Sequence, residues 1–108
     1  MDLRTAQQLA WKNKQRKGFN TVDVPLEVCL LQGEIAEFFE AWRRGLPDIG
    51  EELADVAIYL LGLAEMVDVD LDEQVQWKLA KNEQRRYRIE NDVLTKVDGA
   101  RPADNEEE

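Results

Sequence analysis

"ELADVAIYLLGLA", residues Glu52 to Ala64, decides the fold. Coiled as a helix, this stretch carries apolar side chains on nearly every side, which predicts a helix buried around most of its circumference. From Leu53 to Ala64 only Asp55 and the Tyr59 hydroxyl interrupt it. Glu52 and Asp55 are three apart and Tyr59 is one turn further, so the three share a face. A lone ionised carboxylate in such surroundings costs several kcal/mol even after relaxation. It must be protonated, paired or bound to a cation.

The conflict repeats upstream in "GEIAEFFEAW", Gly33 to Trp42. Leu30, Leu31, Phe38 and Ala41 form an apolar stripe at spacings of three and four, and Glu34 and Glu37 lie in that stripe. Packed antiparallel, the two helices bring two pairs of acids together. Four carboxylates without a counter-charge repel and raise one another's pKa values. Divalent cations remove that conflict, and magnesium accepts hard oxygen ligands. Acids make up 23 of 108 residues, so one E-x-x-E is close to chance. The competing reading is therefore a solvated or salt-bridged acidic face, which is the reading given to Glu40 and Glu51.

Around these segments the chain reads as helix throughout. Helix one covers about residues 3 to 17, capped by Asp2 and stopped by Gly18. Pro25 suits the first turn of helix two, about 24 to 44, and "RGLPD" breaks the chain. Asp48 with Glu51 makes an Asp variant of the capping box for helix three, which ends near residue 67. Asp70 with Glu73 repeats the device for helix four, expected to run to about residue 90. No alternating Val/Thr-rich run suggests a strand. The expected fold is all-α: an antiparallel four-helix bundle over residues 1–97, followed by a disordered acidic tail over 98–108.

Composition removes several chemistries. The chain has no histidine, which excludes Ser-His-Asp catalysis, His-ligated zinc and the Glu-x-x-His pairs of di-iron bundles. Cys29 is the only cysteine, so no internal disulfide forms, and its apolar surroundings predict a buried structural thiol. A net charge of −9 argues against DNA or RNA as partner. A small phosphorylated ligand stays compatible if a cation mediates. No apolar run approaches a membrane span and no secretory signal is present, so no membrane association and a cytoplasmic location are expected.

Helix four supplies positive charge. Leu71, Val75, Leu79 and Ile89 mark its expected inward stripe, with Lys78, Asn82 and Arg86 in or beside it. The Lys78 ammonium suits phosphate oxygens, and the Asn82 amide one turn on suits a sugar or base edge. Alternatively Lys78 covers the core with its stem, and Arg85, Arg86 and Arg88 compensate a helix dipole. On helix one, Leu3, Ala6 and Ala10 are expected to point inward, continuing to Asn13, Lys14 and Lys17. Trp11 offers a stacking surface for a base or, equally, a core aromatic; the same choice holds for Trp42 and Trp77.

Taken together these motifs resemble the MazG-type all-α nucleoside triphosphate pyrophosphohydrolases, related to dimeric dUTPases and dCTP pyrophosphatases. The family signature is E-E-x-x-E, a spacer, then E-x-x-D. "GEIAE" and "ELAD" supply Glu34, Glu37, Glu52 and Asp55, with Gly33 where many members carry the first glutamate. The later K-x-x-x-N is matched by Lys78 to Asn82, and the early "W…RKGF" is also similar. The similarity covers about residues 5 to 90. It implies magnesium, replaceable by manganese, held by Glu34, Glu37, Glu52 and Asp55. It implies a nucleoside triphosphate contacted by Lys78, Asn82, Tyr59 and Trp11, and a homodimer or homotetramer. The alternative function is a non-catalytic helical protein-interaction module.

Overall fold

The computed structural model describes residues 1–84 and the backbone of residues 87–90 and 93–96. Four helices follow in order: α1 Leu3–Lys17, α2 Val24–Arg43, α3 Ile49–Met66 and α4 Leu71–Gln84. The expected helix four is six residues too long. From Tyr87–Glu90 (β1) the chain pairs antiparallel with Val93–Lys96 (β2), Tyr87 opposite Lys96 and Glu90 opposite Val93. Tyr87, Ile89, Val93 and Thr95 are residue types that suit a pleated backbone, and local hairpin pairing outweighs helix continuation there. Ile89 and Arg88 therefore do not lie on helix four. Arg85, Arg86 and the tail from residue 98 lie outside the described residues.

The chain forms two compact units, Met1–Asp72 and one from Glu73 onward. The first is built on α3. As α1 advances from Gln7 to Lys14, its contacts on α3 recede from Glu65 to Gly62. α3 also lies against α2, where Glu34 and Glu37 approach Glu52.

Helix ends follow from local chemistry. The Asp2 carboxylate accepts from Thr5 N–H at 2.8 Å, capping α1 and holding its own pKa below the ordinary value. Pro25 sits in the first turn of α2, and Asp23 caps that helix through Leu26 N–H at 3.0 Å. Asp48, by contrast, makes no side-chain capping bond to α3, so the expected capping box there does not form. Three helices stop on left-handed residues, Gly18 (φ 73°), Gly45 (φ 66°) and Asp68 (φ 59°). In each case the following N–H returns to an earlier carbonyl: Phe19 to Lys14, Leu46 to Ala41, Val69 to Ala64.

A polar clamp ties the start of α1 to the α3–α4 connection. Gln7 is buried; its amide donates to Glu65 Oε1 at 2.8 Å and Val69 O at 2.7 Å, and accepts from Leu71 N–H at 3.1 Å. Arg4 adds an ion pair with Asp70 at 2.6 Å, and its backbone N–H donates to Asp72 at 3.2 Å. Arg4, Gln7, Glu65, Val69 and Asp70 border a concavity of about 290 Å³, and none of the sequence-predicted site residues lines it.

Several burial expectations are corrected. Within the chain α3 is buried only toward its C-terminal end, at Leu61, Gly62 and Ala64. Leu53, Ile58 and Leu60 are 50%, 49% and 42% exposed. Two neighbouring helices cover one side of α3 and leave the rest open. Leu3, Leu30 and Cys29 are exposed, as is Lys17. So are Lys78 and Leu79, while Leu31, Phe38 and Val75 are half-buried. Among the described residues no helix is long and apolar enough to cross a membrane.

Candidate active site

Helical spacing places Glu27, Glu34 and Ala41 seven residues apart on the face of α2 that meets the rest of the unit. Glu27 and Ala41 are buried and Glu34 is half-buried. On α3, Glu52 and Tyr59 occupy the corresponding face, seven residues apart and both half-buried.

Three of the four expected acids come together. Carboxylate oxygens of Glu34, Glu37 and Glu52 all lie within 4.8 Å of one another. Glu52 Oε1 is buried without a hydrogen-bond partner. Asp55 is exposed and stands outside that triad, but its charge acts on both Glu34 and Glu52. The sequence reading placed Asp55 deep in an apolar helix; that surface of α3 is open within this chain.

The electrostatics agree with the geometry. Burial, then the charges of Glu37, Asp55 and Glu52, push the Glu34 carboxyl above its ordinary value. Burial comes first for Glu52 as well, followed by Asp48, Glu37, Asp55 and Glu51. The Tyr59 phenol is raised by burial and by Glu34, Glu27, Asp55 and Glu37. Among the described residues no Lys or Arg forms an ion pair with Glu34, Glu37, Glu52 or Asp55. Clustered carboxylates with one orphaned oxygen and no internal counter-ion form a donor set that fits a hard divalent cation.

Beside the acids lies a cleft that the sequence reading did not foresee. Phe19, Asn20, Leu30 and Tyr59 line a cavity of about 140 Å³, with Lys14 and Glu27 within it. An adjoining cavity of about 70 Å³ adds Ala10, Asn13 and Ile58. Glu27 is fully buried, and its Oε2 lies 2.8 Å from Lys14 Nζ, an ion contact whose angles fall outside those of a hydrogen bond. Glu27 Oε1 accepts from Asn20 Nδ2 at 3.1 Å. Lys14 Nζ also stands 6.0 Å from the centre of the Tyr59 ring. The seven-residue spacing of Glu27 to Glu34, and of Lys14 to Gln7, places each on the inward face of its own helix, but nothing in that spacing pairs the two across helices.

Trp11 is half-buried, and the α1 residues bordering the cleft are Ala10, Asn13 and Lys14 instead. Lys78 and Asn82 lie one turn apart and exposed on α4, in the second unit. Comparison of the chain with protein-family models, with curated proteins and with solved structures gives no match.

Proposed function

We propose that the chain is a MazG-type all-α nucleoside triphosphate pyrophosphohydrolase, cleaving a (d)NTP to the nucleoside monophosphate and pyrophosphate. The observation that carries this reading is the meeting of Glu34, Glu37 and Glu52 with no Lys or Arg among the described residues paired to them. Glu34, Glu37, Glu52 and, from its exposed position, Asp55 would hold magnesium, with manganese as substitute. Such ions neutralise triphosphate charge and acidify water, which an acidic protein needs before it accepts a polyanion. The residues themselves do the rest. One glutamate takes the proton of the attacking water, whose oxygen bonds to the α-phosphorus as the α–β phosphoanhydride bond breaks and pyrophosphate leaves. Tyr59 holds phosphate oxygens and Trp11 offers a stacking face, and the family resemblance assigns Lys78 to phosphate and Asn82 to sugar or base.

The antiparallel four-helix bundle belongs to this proposal, as does assembly into a homodimer or homotetramer in the cytoplasm. The exposed apolar stripe supports assembly. Ile35, Phe39 and Trp42 follow one another along α2 at helical spacing, all exposed, with the Phe39 and Trp42 rings 5.8 Å apart, and Leu46 just past the helix end is exposed as well. Leu53 and Leu60 add to it on α3, and so much open apolar surface marks an interaction face. The same face suits the alternative, a helical module that binds a protein partner without catalysis; that module releases no pyrophosphate.

The decisive experiment incubates purified protein with a panel of dNTPs and NTPs plus magnesium and identifies the products. Pyrophosphate with a monophosphate is expected. Orthophosphate with a diphosphate would overturn the bond assignment, and no cleavage of any triphosphate would leave the binding module. Asp55→Asn is expected to abolish turnover while the helical circular dichroism persists.

A further inference from the structure

The cleft beside the acids contains a costly arrangement. Lys14 and Glu27 are both buried, and removing two charges from water takes several kcal/mol per ion before their attraction returns any of it. An apolar pair of the same size would hold α1 to α2 as well or better. The chain nevertheless clears a path for the lysine. A Cβ built on Gly62 would lie 3.1 Å from Lys14 Cε and 3.3 Å from its Cδ, so the bare backbone of α3 is what lets the lysine stem pass. Asn20 secures the far oxygen of Glu27, and the same amide donates to Asp23 O at 2.8 Å, so the loop before α2 is tied to the pair.

What this arrangement touches on the functional side is Tyr59. The Lys14 ammonium lies 6.0 Å from the centre of its ring, at the distance where a desolvated cation attracts an aromatic face. Gly62 is three residues beyond Tyr59 on the same helix, so stem and ammonium bear on neighbouring positions of one face of α3. Tyr59 lines the cleft and lies two turns along the same face of α3 from Glu52, and the charges of Glu34, Asp55 and Glu37 act on its phenol.

We propose that Lys14 is a positioning residue: anchored by Glu27 and admitted by Gly62, it fixes the Tyr59 ring so that the phenol is presented to a nucleoside triphosphate at the acidic cluster. The substrate half of this statement rests on the pyrophosphohydrolase reading; the fixing of the ring does not. The buried pair thus spends its desolvation cost on orientation. Its effect belongs to substrate binding more than to the chemical step, because Tyr59 meets the bound phosphates and not the attacking water.

The test uses the double variant Lys14→Met/Glu27→Leu, which replaces the pair by apolar side chains of similar size and leaves no orphaned charge. The chain has two tyrosines, so labelling with 3-fluorotyrosine gives two ¹⁹F resonances, and Tyr59→Phe identifies the relevant one. In the double variant the Tyr59 resonance is expected to move toward the position of free fluorotyrosine and to sharpen. KM for the best triphosphate of the panel is expected to rise about tenfold, with a smaller change in kcat. An unmoved Tyr59 resonance in a folded double variant would overturn the proposal, as would a wild-type KM. If the double variant does not fold, Gly62→Ala carries the same comparison, since it displaces the lysine stem and keeps both charges. An unmoved resonance there overturns the proposal equally. Should the wild-type protein cleave no triphosphate, the pyrophosphohydrolase reading falls, and the resonance alone decides whether Lys14 fixes the ring.

Discussion

Glu27 and Glu34 are the same residue type on the same face of α2, two turns apart, and they live in opposite electrostatic worlds. Glu27 is fully buried with a lysine at 2.8 Å and an asparagine at 3.1 Å. Glu34 is half-buried among Glu37, Glu52 and Asp55, with only like charge around it. One end of the helix face is closed by the chain's own cation; at the other, among the described residues, no Lys or Arg pairs with Glu34. Burial by itself therefore does not mark a functional carboxylate. The proposed metal role rests instead on the counter-charge that Glu34 lacks among the described residues.

Breaking the closed end is expected to produce the largest effect. Lys14→Met leaves the Glu27 carboxylate buried without its cation, at a cost of about 3–5 kcal/mol in urea denaturation. Glu27→Leu added to that variant is expected to restore most of the loss. A single variant as stable as wild type would show that water reaches Glu27 and that the contrast with Glu34 is false.

Gly62→Ala tests the same region with both charges kept. The new methyl meets the buried lysine stem at 3.1 Å, and overpacking of this kind costs about 1–3 kcal/mol. The helix-propensity gain of alanine offsets about 1 kcal/mol of that, so a smaller net loss is expected. Gly33→Ala is the control from the other end of the comparison. Nothing lies within 4 Å of a Cβ built on Gly33, so that substitution should follow helix propensity alone and stabilise the chain by about 1 kcal/mol. Thermal melts of the two alanine variants with opposite signs are the expected result. Destabilisation by Gly33→Ala would mean that another copy of the chain packs its backbone on that glycine.

How far such distinctions are legible in the sequence depends on how many residues apart their determinants lie. Caps at Asp2 and Gly18 and the proline start of α2 were legible because they depend on two to four neighbouring residues. The partners Glu34, Glu37 and Glu52 were legible because two short motifs on helices of known period leave few ways to pack. Lys14 with Glu27 was not, because the contact depends on how α1 crosses α3 at Gly62, which no local pattern encodes. The burial of Asp55 was misread for a related reason. An all-apolar helix says that its surface will be covered, but not whether the cover comes from the same chain. The end of α4 was missed because the helical pattern gives way to a hairpin at Tyr87, where propensity and pairing outweigh periodicity.

The smallest expected effect lies at the open end and is diagnostic by its sign. Glu34 holds its proton more tightly in the folded protein than in the unfolded chain. Its favourable contribution is therefore present below the ordinary carboxylate range and is lost as pH rises through its native value. Asp2 runs the other way: lowered by the Thr5 N–H, it contributes above its ordinary value, and that contribution is lost on acidification. In chelator, Glu34→Gln should remove the repulsive step and melt about 1–3 °C above wild type near pH 7, with the difference vanishing near pH 4; the exposure of neighbouring Glu37 and Asp55 keeps it small. Magnesium should reverse the order, because the wild-type acids then gain the cation they lack and the glutamine variant loses one ligand. Parallel pH profiles for the two proteins, with and without magnesium, would mean that solvent already neutralises the cluster. Glu34 would then differ from Glu27 only in exposure.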